Sequence, residues 1–367
     1  MRSLYISCIV AAVLSACAAS TVALDTRAAG TSAALHCHAR DRSLEWRASE
    51  PADAAELARW CRAVGAPIFL ATTAAPAEPP ALDELVVLSW NAHLAEGDLP
   101  ELIDTLRAGR LTGGRPVTRF VLLVQELYRR GENVPQFDTR DRTAFAIVAR
   151  DLESADVEDY AASLGLSILY VPSMRNGAEL REDRGNAIVS TEPLVDPLAV
   201  ELPLARQRRV TVGAAIQVRA KGSVQRLEVL NAHLEPLSSP HTLWVFKNPR
   251  PRQVRALLDV LESPRYTSPE VAGVVLGGDF NTVQGGDREE GYRHARAWST
   301  SLAGEDRRRT HMMGRLDYLF FRLGGGWTAE TRRLDDRFGS DHHPVLGTFR
   351  PDPGSPPSRP QAVPDNR

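Results

Sequence analysis

The 367-residue sequence has no surplus of either charge: 44 Lys and Arg stand against 46 Asp and Glu, for a formal net charge of −2. A dedicated nucleic-acid binder usually carries a strong basic excess, so composition disfavours that class. Lysine is almost missing, with Lys221 and Lys247 the only two. The local basic runs "ARQRRV", "NPRPRQVR" and "DRRRT" owe their charge to arginine, and a general arginine bias accounts for them without a phosphate ligand. Cysteine is scarce, at four residues. His36 and His38 flank Cys37, but no second ligand pair stands at a spacing that would complete a zinc site. There is no internal repeat, G-x-S-x-G elbow or P-loop, which removes those catalytic schemes.

Hydrophobic residues make up 43% and charged residues 25%, the proportions of a soluble globular protein with one large domain or two ordinary ones. The N-terminus, "MRSLYISCIVAAVLSACAAS", has a basic Arg2, an apolar run from Leu4 to Leu14 and small residues after it. That is the anatomy of a secretory signal, and the run is too short to span a bilayer comfortably. Its end, Leu14-Ser15-Ala16-Cys17, resembles the lipobox of bacterial lipoproteins. The resemblance implies lipidation of Cys17 and an envelope location, with acyl chains holding the domain on a membrane; ordinary cleavage after Ala18 is the alternative. Cys37 and Cys61 remain as an even pair in an exported, oxidising setting, where a disulfide is the default expectation.

The expected organisation is a signal with lipobox over 1–17, an N-terminal segment and Ala/Pro linker over 18–83, a main domain over 84–350 and a disordered Pro-rich tail over 351–367. Within the main domain, short strand-like runs include "ELVVLSWN", "FVLLVQE", "NAIVST", "RLEVLNAHL", "VAGVVLGGDFN" and "RLDYLFFR". Helical patterns fall near 99–107, 152–164 and 252–261, and another near 49–65. So many strands alternating with helices predict a layered α/β sandwich of two packed β-sheets flanked by helices. Polar residues gather where the apolar runs end: Asn91, Gln125-Glu126, Asn231-Ala232-His233 and Asp279-Phe280-Asn281. A buried carboxylate needs a partner or a metal, so acids closing apolar strands point to a task.

The fragments "LSWN", "VQE", "GNAIVS", "LNAHLE", "LGGDFN", "RLDYLF" and "GSDHHPV" are individually weak. In this order they resemble the endonuclease/exonuclease/phosphatase superfamily, which includes deoxyribonucleases, abasic-site endonucleases, sphingomyelinases and inositol-polyphosphate phosphatases. The resemblance runs from about Val86 to Phe349. It implies a phosphoesterase using Mg²⁺ or Mn²⁺, with Glu126, Asn91 and Asp341 at the metal. Asp279 and Asn281 would orient the attacking water, and His233 would donate to a phosphoryl oxygen. His342, held by Asp317, would act as general base or as a cation beside the phosphate, and His343 would stand outside the chemistry. Asn186 would lie near the phosphate-binding floor.

The stretch "LEPLSSPHTLWVFKNPRPRQVR" places Trp244 and Arg252 where they could contact substrate, through base stacking and phosphate binding or at a membrane interface. Three functions stay open at this stage. One is a nuclease outside the cytoplasm; the second is a phospholipid or small-phosphoester hydrolase acting on a head group; the third is a non-catalytic binding protein on the same scaffold.

Overall fold

Leu85–Asn91 and Val271–Asp279 are buried at every position, as expected for strands covered on both faces. In the computed structural model they are interior strands of two different sheets. Described are residues 44–48, 50–70, 79, 81–94, 96–136, 164–176, 181–220, 222–236, 248–283, 285–302 and 305–354, with the short strands 22–23, 26–28 and 145–146.

The first sheet runs, in spatial order, β1 (Val22–Ala23), β4 (Ile68–Leu70), β8 (Ser167–Asn176), β9 (Glu182–Ser190), β6 (Phe120–Arg130), β5 (Leu85–Asn91), β16 (Val345–Pro351) and β15 (Trp327–Arg333), with β7 (Phe145–Ala146) paired to β8. The second runs β14 (Asp317–Leu323), β13 (Val271–Asp279), β12 (Ser223–His233), β11 (Val210–Ala220), β10 (Val195–Glu201), β3 (Leu44–Ala48) and β2 (Thr26–Ala28). Both mix parallel and antiparallel pairs. Val87, Leu123 and Ile188 of the first sheet meet Val212, Val229, Val275 and Leu319 of the second in one core. Helix α1 (Ala54–Arg62) puts Trp60 against Met174. Helix α2 (Leu99–Arg107) buries Leu102, Ile103 and Leu106 on the outer face of the first sheet. On the second sheet, α3 (Arg250–Leu261) and α5 (Glu290–Trp298) bury Val254, Leu257 and Tyr292, with the single turn α4 (Pro264–Thr267) between them. The expected two-sheet sandwich is therefore the fold.

Glycines set how closely the layers approach. A Cβ on Gly277 would stand 2.6 Å from Leu123 Cδ1 and 2.7 Å from Leu319 Cδ2, so glycine leaves room for these two side chains between the sheets. Gly278 has φ +143°, and a Cβ would fall 1.8 Å from the Ala232 carbonyl oxygen.

The domain boundary differs from expectation. Residues 44–70 were expected to stand outside the main domain, yet β3 pairs in parallel with β10 and β4 pairs antiparallel with β8. The joint is also polar: buried Asp183 accepts from Gly65 N at 2.7 Å and Tyr170 Oη at 2.9 Å, and pairs with Arg129, whose Nη1 donates to the Ala66 carbonyl at 2.7 Å. Strands of three and five residues are too short to show periodicity, and an Ala/Pro stretch after them looked like a border. Arg208 is structural: its buried guanidinium pairs with buried Glu201 and donates to the Pro172 carbonyl at 2.8 Å, tying β10 to β8. The expected helix near 152–164 lies almost wholly outside the described residues, as do Cys17, Cys37, Trp244 and the tail beyond 354. Cys61 is disulfide-bonded.

Candidate active site

Strand register builds the site. Parallel pairing sets His233 opposite Asp279, and antiparallel pairing sets Asp279 opposite Asp317, so one row across β12, β13 and β14 carries an imidazole and two carboxylates. In the facing sheet, Asn91 pairs with Gln125. Beneath the site Gln125 Nε2 donates to Asn231 Oδ1 at 2.6 Å, and Asn231 Nδ2 donates to the Val124 and Ala187 carbonyls at 2.8 Å each. These buried amides bolt the two sheets together at the strand ends.

Glu126 follows Gln125 in a β-bulge between Val124 and Leu127, with φ +58°. The bulge turns the carboxylate out of the strand alternation; such left-handed non-glycine residues concentrate at functional sites. Its Oε2 accepts from Leu94 N at 3.2 Å and lies 3.6 Å from Arg184 Nη1, while Oε1 is 4.0 Å from His233 Nε2. Asn91 Nδ2 donates to Asp279 Oδ2 at 3.0 Å, joining the sheets directly. Asn281, with φ +52°, donates its backbone N–H to Asp279 Oδ1 at 2.8 Å and its Nδ2 to the Leu234 carbonyl at 3.0 Å.

The turn carrying "GSDHHPV" separates its two histidines. His342 is buried, and its Nδ1 donates to Asp317 Oδ2 at 2.8 Å. His343 points away, with Nδ1 3.1 Å from the Leu334 carbonyl. Ser340 fixes this turn: its Oγ donates to the Asn91 carbonyl at 2.6 Å and accepts from His342 N at 3.0 Å. Thr310 clasps the other side, its Oγ1 accepting from Asp317 N at 3.1 Å and its carbonyl accepting from His343 N at 2.7 Å.

Electrostatics divide the residues. Burial opposes a charge on His342, but Asp317, then Asp279 and Asp341, push its pKa up to about 10. Burial and the Asp317 charge push Asp279 up to about 6. Burial drives His233 well below its ordinary value, helped by Arg209, Arg184 and His342. Burial works against ionisation of Asp341 too, yet the bonds from His311 and His93 hold it well below the usual carboxylate range. At neutral pH the site thus has an imidazolium at His342 and a neutral imidazole at His233.

Glu126 and Asp341 offer the hard oxygen donors that Mg²⁺ favours. Asp341 Oδ1 is buried without a well-aligned donor, although His93 Nδ1 stands 2.9 Å away. The His93 imidazolium is favoured chiefly by Asp341, then by Glu96 and Glu126, so these carboxylates converge on a position that wants positive charge. The residues fit a divalent ion. Asn91 donates its Nδ2 to Asp279, and its Oδ1 accepts from His93 N at 3.0 Å while keeping a second lone pair free for an ion. Among the described residues, two tight groups of potential ligands occur, His311–Asp341–His342 and Asp279–Asp317–His342, and Glu126 belongs to neither.

Two expected substrate contacts have partners in the scaffold. Arg252 donates to the Leu204 carbonyl at 2.7 Å and sits 3.5 Å from Glu50 and 3.9 Å from Asp53, so its described partners belong to the scaffold. Asn186 is buried and donates to the Val210 carbonyl at 2.7 Å, a bond between sheets. His93, His311, Arg184, Arg209, Ser340 and Thr310 join or brace the site without standing among the expected residues. His93 stands two residues beyond Asn91, a spacing on which the motifs alone drew no attention.

The chain belongs to the endonuclease/exonuclease/phosphatase family, whose model matches residues 42–342. Among solved structures, the human Nocturnin catalytic domain with bound sulfate is 17% identical, with 73% of this chain and 96% of that chain covered and a TM-score of 0.45. Truncated Caenorhabditis elegans TDP2 is 18% identical, covering 73% and 97%, with a TM-score of 0.42. ANGEL2, a 2′,3′-cyclic phosphatase solved with adenosine-2′,3′-vanadate, is 16% identical, covering 74% and 96%, with a TM-score of 0.41. No curated protein matches the chain by sequence.

Proposed function

We propose that the chain is a divalent-metal-dependent phosphodiesterase that cleaves nucleic acid outside the cytoplasm. The observation that carries this reading is the buried row His233–Asp279–Asp317, with His342 locked onto Asp317 at 2.8 Å. Placing two carboxylates and two histidines with opposed pKa shifts in one buried cluster costs stability, and such clusters mark acid–base and phosphate chemistry.

In this reading Asp279, with a pKa of about 6, is ionised at neutral pH and takes the proton of the attacking water, which Asn281 helps to position. His342, as imidazolium, stabilises the developing phosphoryl charge, with Asp317 fixing its orientation. Arg184 and neutral His233 approach the same charge from the other side. Glu126 and Asp341 would hold the metal ion, which when bound neutralises phosphate charge.

Nucleic acid is favoured over a phospholipid head group by a cavity of about 310 Å³ whose lining includes Val283, two residues past Asn281, with Asp287, Tyr292, Arg307, Arg309 and Arg315. Arg307 and Arg309 suit flanking phosphates, Arg315 is paired with Glu305 at 2.9 Å, and an aromatic wall suits a base. Export and lipidation at Cys17 complete the proposal; no helix among the described residues is long and apolar enough to cross a membrane. The test is a panel of duplex and single-stranded DNA, RNA, sphingomyelin, phosphatidylinositol and inositol phosphates, with Mg²⁺ and with chelator. Chelator-sensitive cleavage of nucleic acid is expected. Turnover of lipid alone would overturn the substrate assignment.

A further inference from the structure

The reaction as described leaves His311 without a task. It lies at the base of a tight turn closed by the His311–Gly314 bridge, and its ring is tilted 30° to that of His342 with centroids 4.6 Å apart. Its Nε2 is 3.1 Å from Asp341 Oδ2, and His342 Nε2 is 3.7 Å from Asp341 Oδ1. A tetrahedral ion bound at about 2.0–2.1 Å holds its ligand atoms roughly 3.3 Å apart; the two separations run to different Asp341 oxygens, so a small rotation of the carboxylate would bring one oxygen to both imidazoles. All three ligand atoms lie within 4.8 Å of one another.

We propose that His311, Asp341 and His342 form a second, inhibitory metal site for a borderline transition ion such as Zn²⁺, distinct from the Glu126 position. Two imidazole nitrogens and one carboxylate are a donor set for Zn²⁺, while Mg²⁺ prefers oxygen alone. The supporting shell is present at His342, whereas His311 Nδ1 accepts from Met313 N at 3.1 Å, a bond that ligation through Nε2 would exchange for an N–H facing solvent. His342 Nδ1 is held by Asp317, the arrangement in which a carboxylate orients a metal-binding histidine and leaves Nε2 free for the ion. Thr310 fixes the backbone on both sides of this pair, bonding Asp317 N and His343 N.

The consequence follows from shared atoms. His342 Nε2 is the nitrogen left to face the substrate, and Asp341 is one of the two carboxylates assigned to the working ion. An ion held by both removes the imidazolium and part of the Mg²⁺ site at once. Zn²⁺ would therefore switch the enzyme off by occupying its own catalytic residues.

The inhibitory role rests on the phosphodiesterase reading; the site itself does not, so its first test uses no substrate. Zn²⁺ uptake is measured by calorimetry in excess Mg²⁺ on the full domain and on His311→Gln, Glu126→Gln and His343→Gln, with Co²⁺ absorption reporting nitrogen coordination. Outer-shell partners alone are worth about 10–100-fold in affinity, so loss of a direct ligand in His311→Gln is expected to weaken uptake by more than about 100-fold. Glu126→Gln and His343→Gln should bind as the unaltered protein does. Equal affinity in His311→Gln, or uptake lost in Glu126→Gln, would overturn the site. With a cleavable substrate, Zn²⁺ should stop turnover in the unaltered protein at concentrations that leave His311→Gln active. Turnover supported by Zn²⁺ would overturn the inhibitory role while leaving the binding result standing.

Discussion

His342 and His343 are covalent neighbours with different fates, and the difference is set by what each ring meets. His342 meets Asp317 at 2.8 Å in a buried row; His343 meets a backbone carbonyl at the edge. His342→Ala should therefore lower turnover by about 10²–10⁴-fold, the usual scale for a positioned acid–base group, while His343→Ala changes it little. The pH dependence follows from the same residues. Asp279 must ionise, so activity rises through about pH 6; His342 must stay protonated, so it falls through about pH 10. The cation bound for turnover lowers both pKa values, so the two limbs of the active enzyme lie below those of the metal-free groups. Stability obeys the matching linkage. His342 binds its proton more tightly folded (about 10) than free (6.5), so its contribution is whole below about pH 6.5 and lost as pH rises through 10. In metal-free protein, the gap in Tm between the unaltered chain and Asp317→Asn should shrink across that window.

At the scale of elements, strand ends were legible in the sequence and their geometry was not. The apolar runs closing in Asn91, Glu126, His233 and Asp279 announced a site, because buried polar groups demand partners. The bulge that re-aims Glu126 and the register that aligns Asp279 with Asp317 are products of pairing and leave no local signature. Strands β10 and β15 escaped notice for similar reasons: the first contains Pro197, and the second buries only Trp327. The glycines of "LGGDFN" work by close approach, which the motif alone does not show. Gly278→Ala would drive a Cβ into the Ala232 carbonyl and is expected to cost more than about 2 kcal/mol, measured by denaturant unfolding.

For the whole molecule, the sequence showed the sandwich but misplaced its edge. The Arg129–Asp183 pair is buried, and Gly65 and Ala66 complete its hydrogen bonds. A chain beginning at residue 82 also loses the core side chains Leu44, Trp46, Leu57 and Trp60. It should fail to fold or melt more than about 10 °C lower, by differential scanning calorimetry. The neutral overall charge conceals a local basic cavity, since net charge averages over the whole surface. If that cavity takes flanking phosphates, Arg307→Ala and Arg309→Ala should each flatten the salt dependence of nucleic-acid binding by about one unit of log–log slope.

The most direct test of the central claim is turnover of a short oligonucleotide, with Mg²⁺ and after chelation, by the unaltered protein and by Asp279→Asn. The account predicts cleavage that chelator abolishes and Mg²⁺ restores, and a loss of about 10²-fold or more in the variant while its Mg²⁺ affinity is kept. Cleavage indifferent to chelator, or an Asp279→Asn protein as active as its parent, would contradict it.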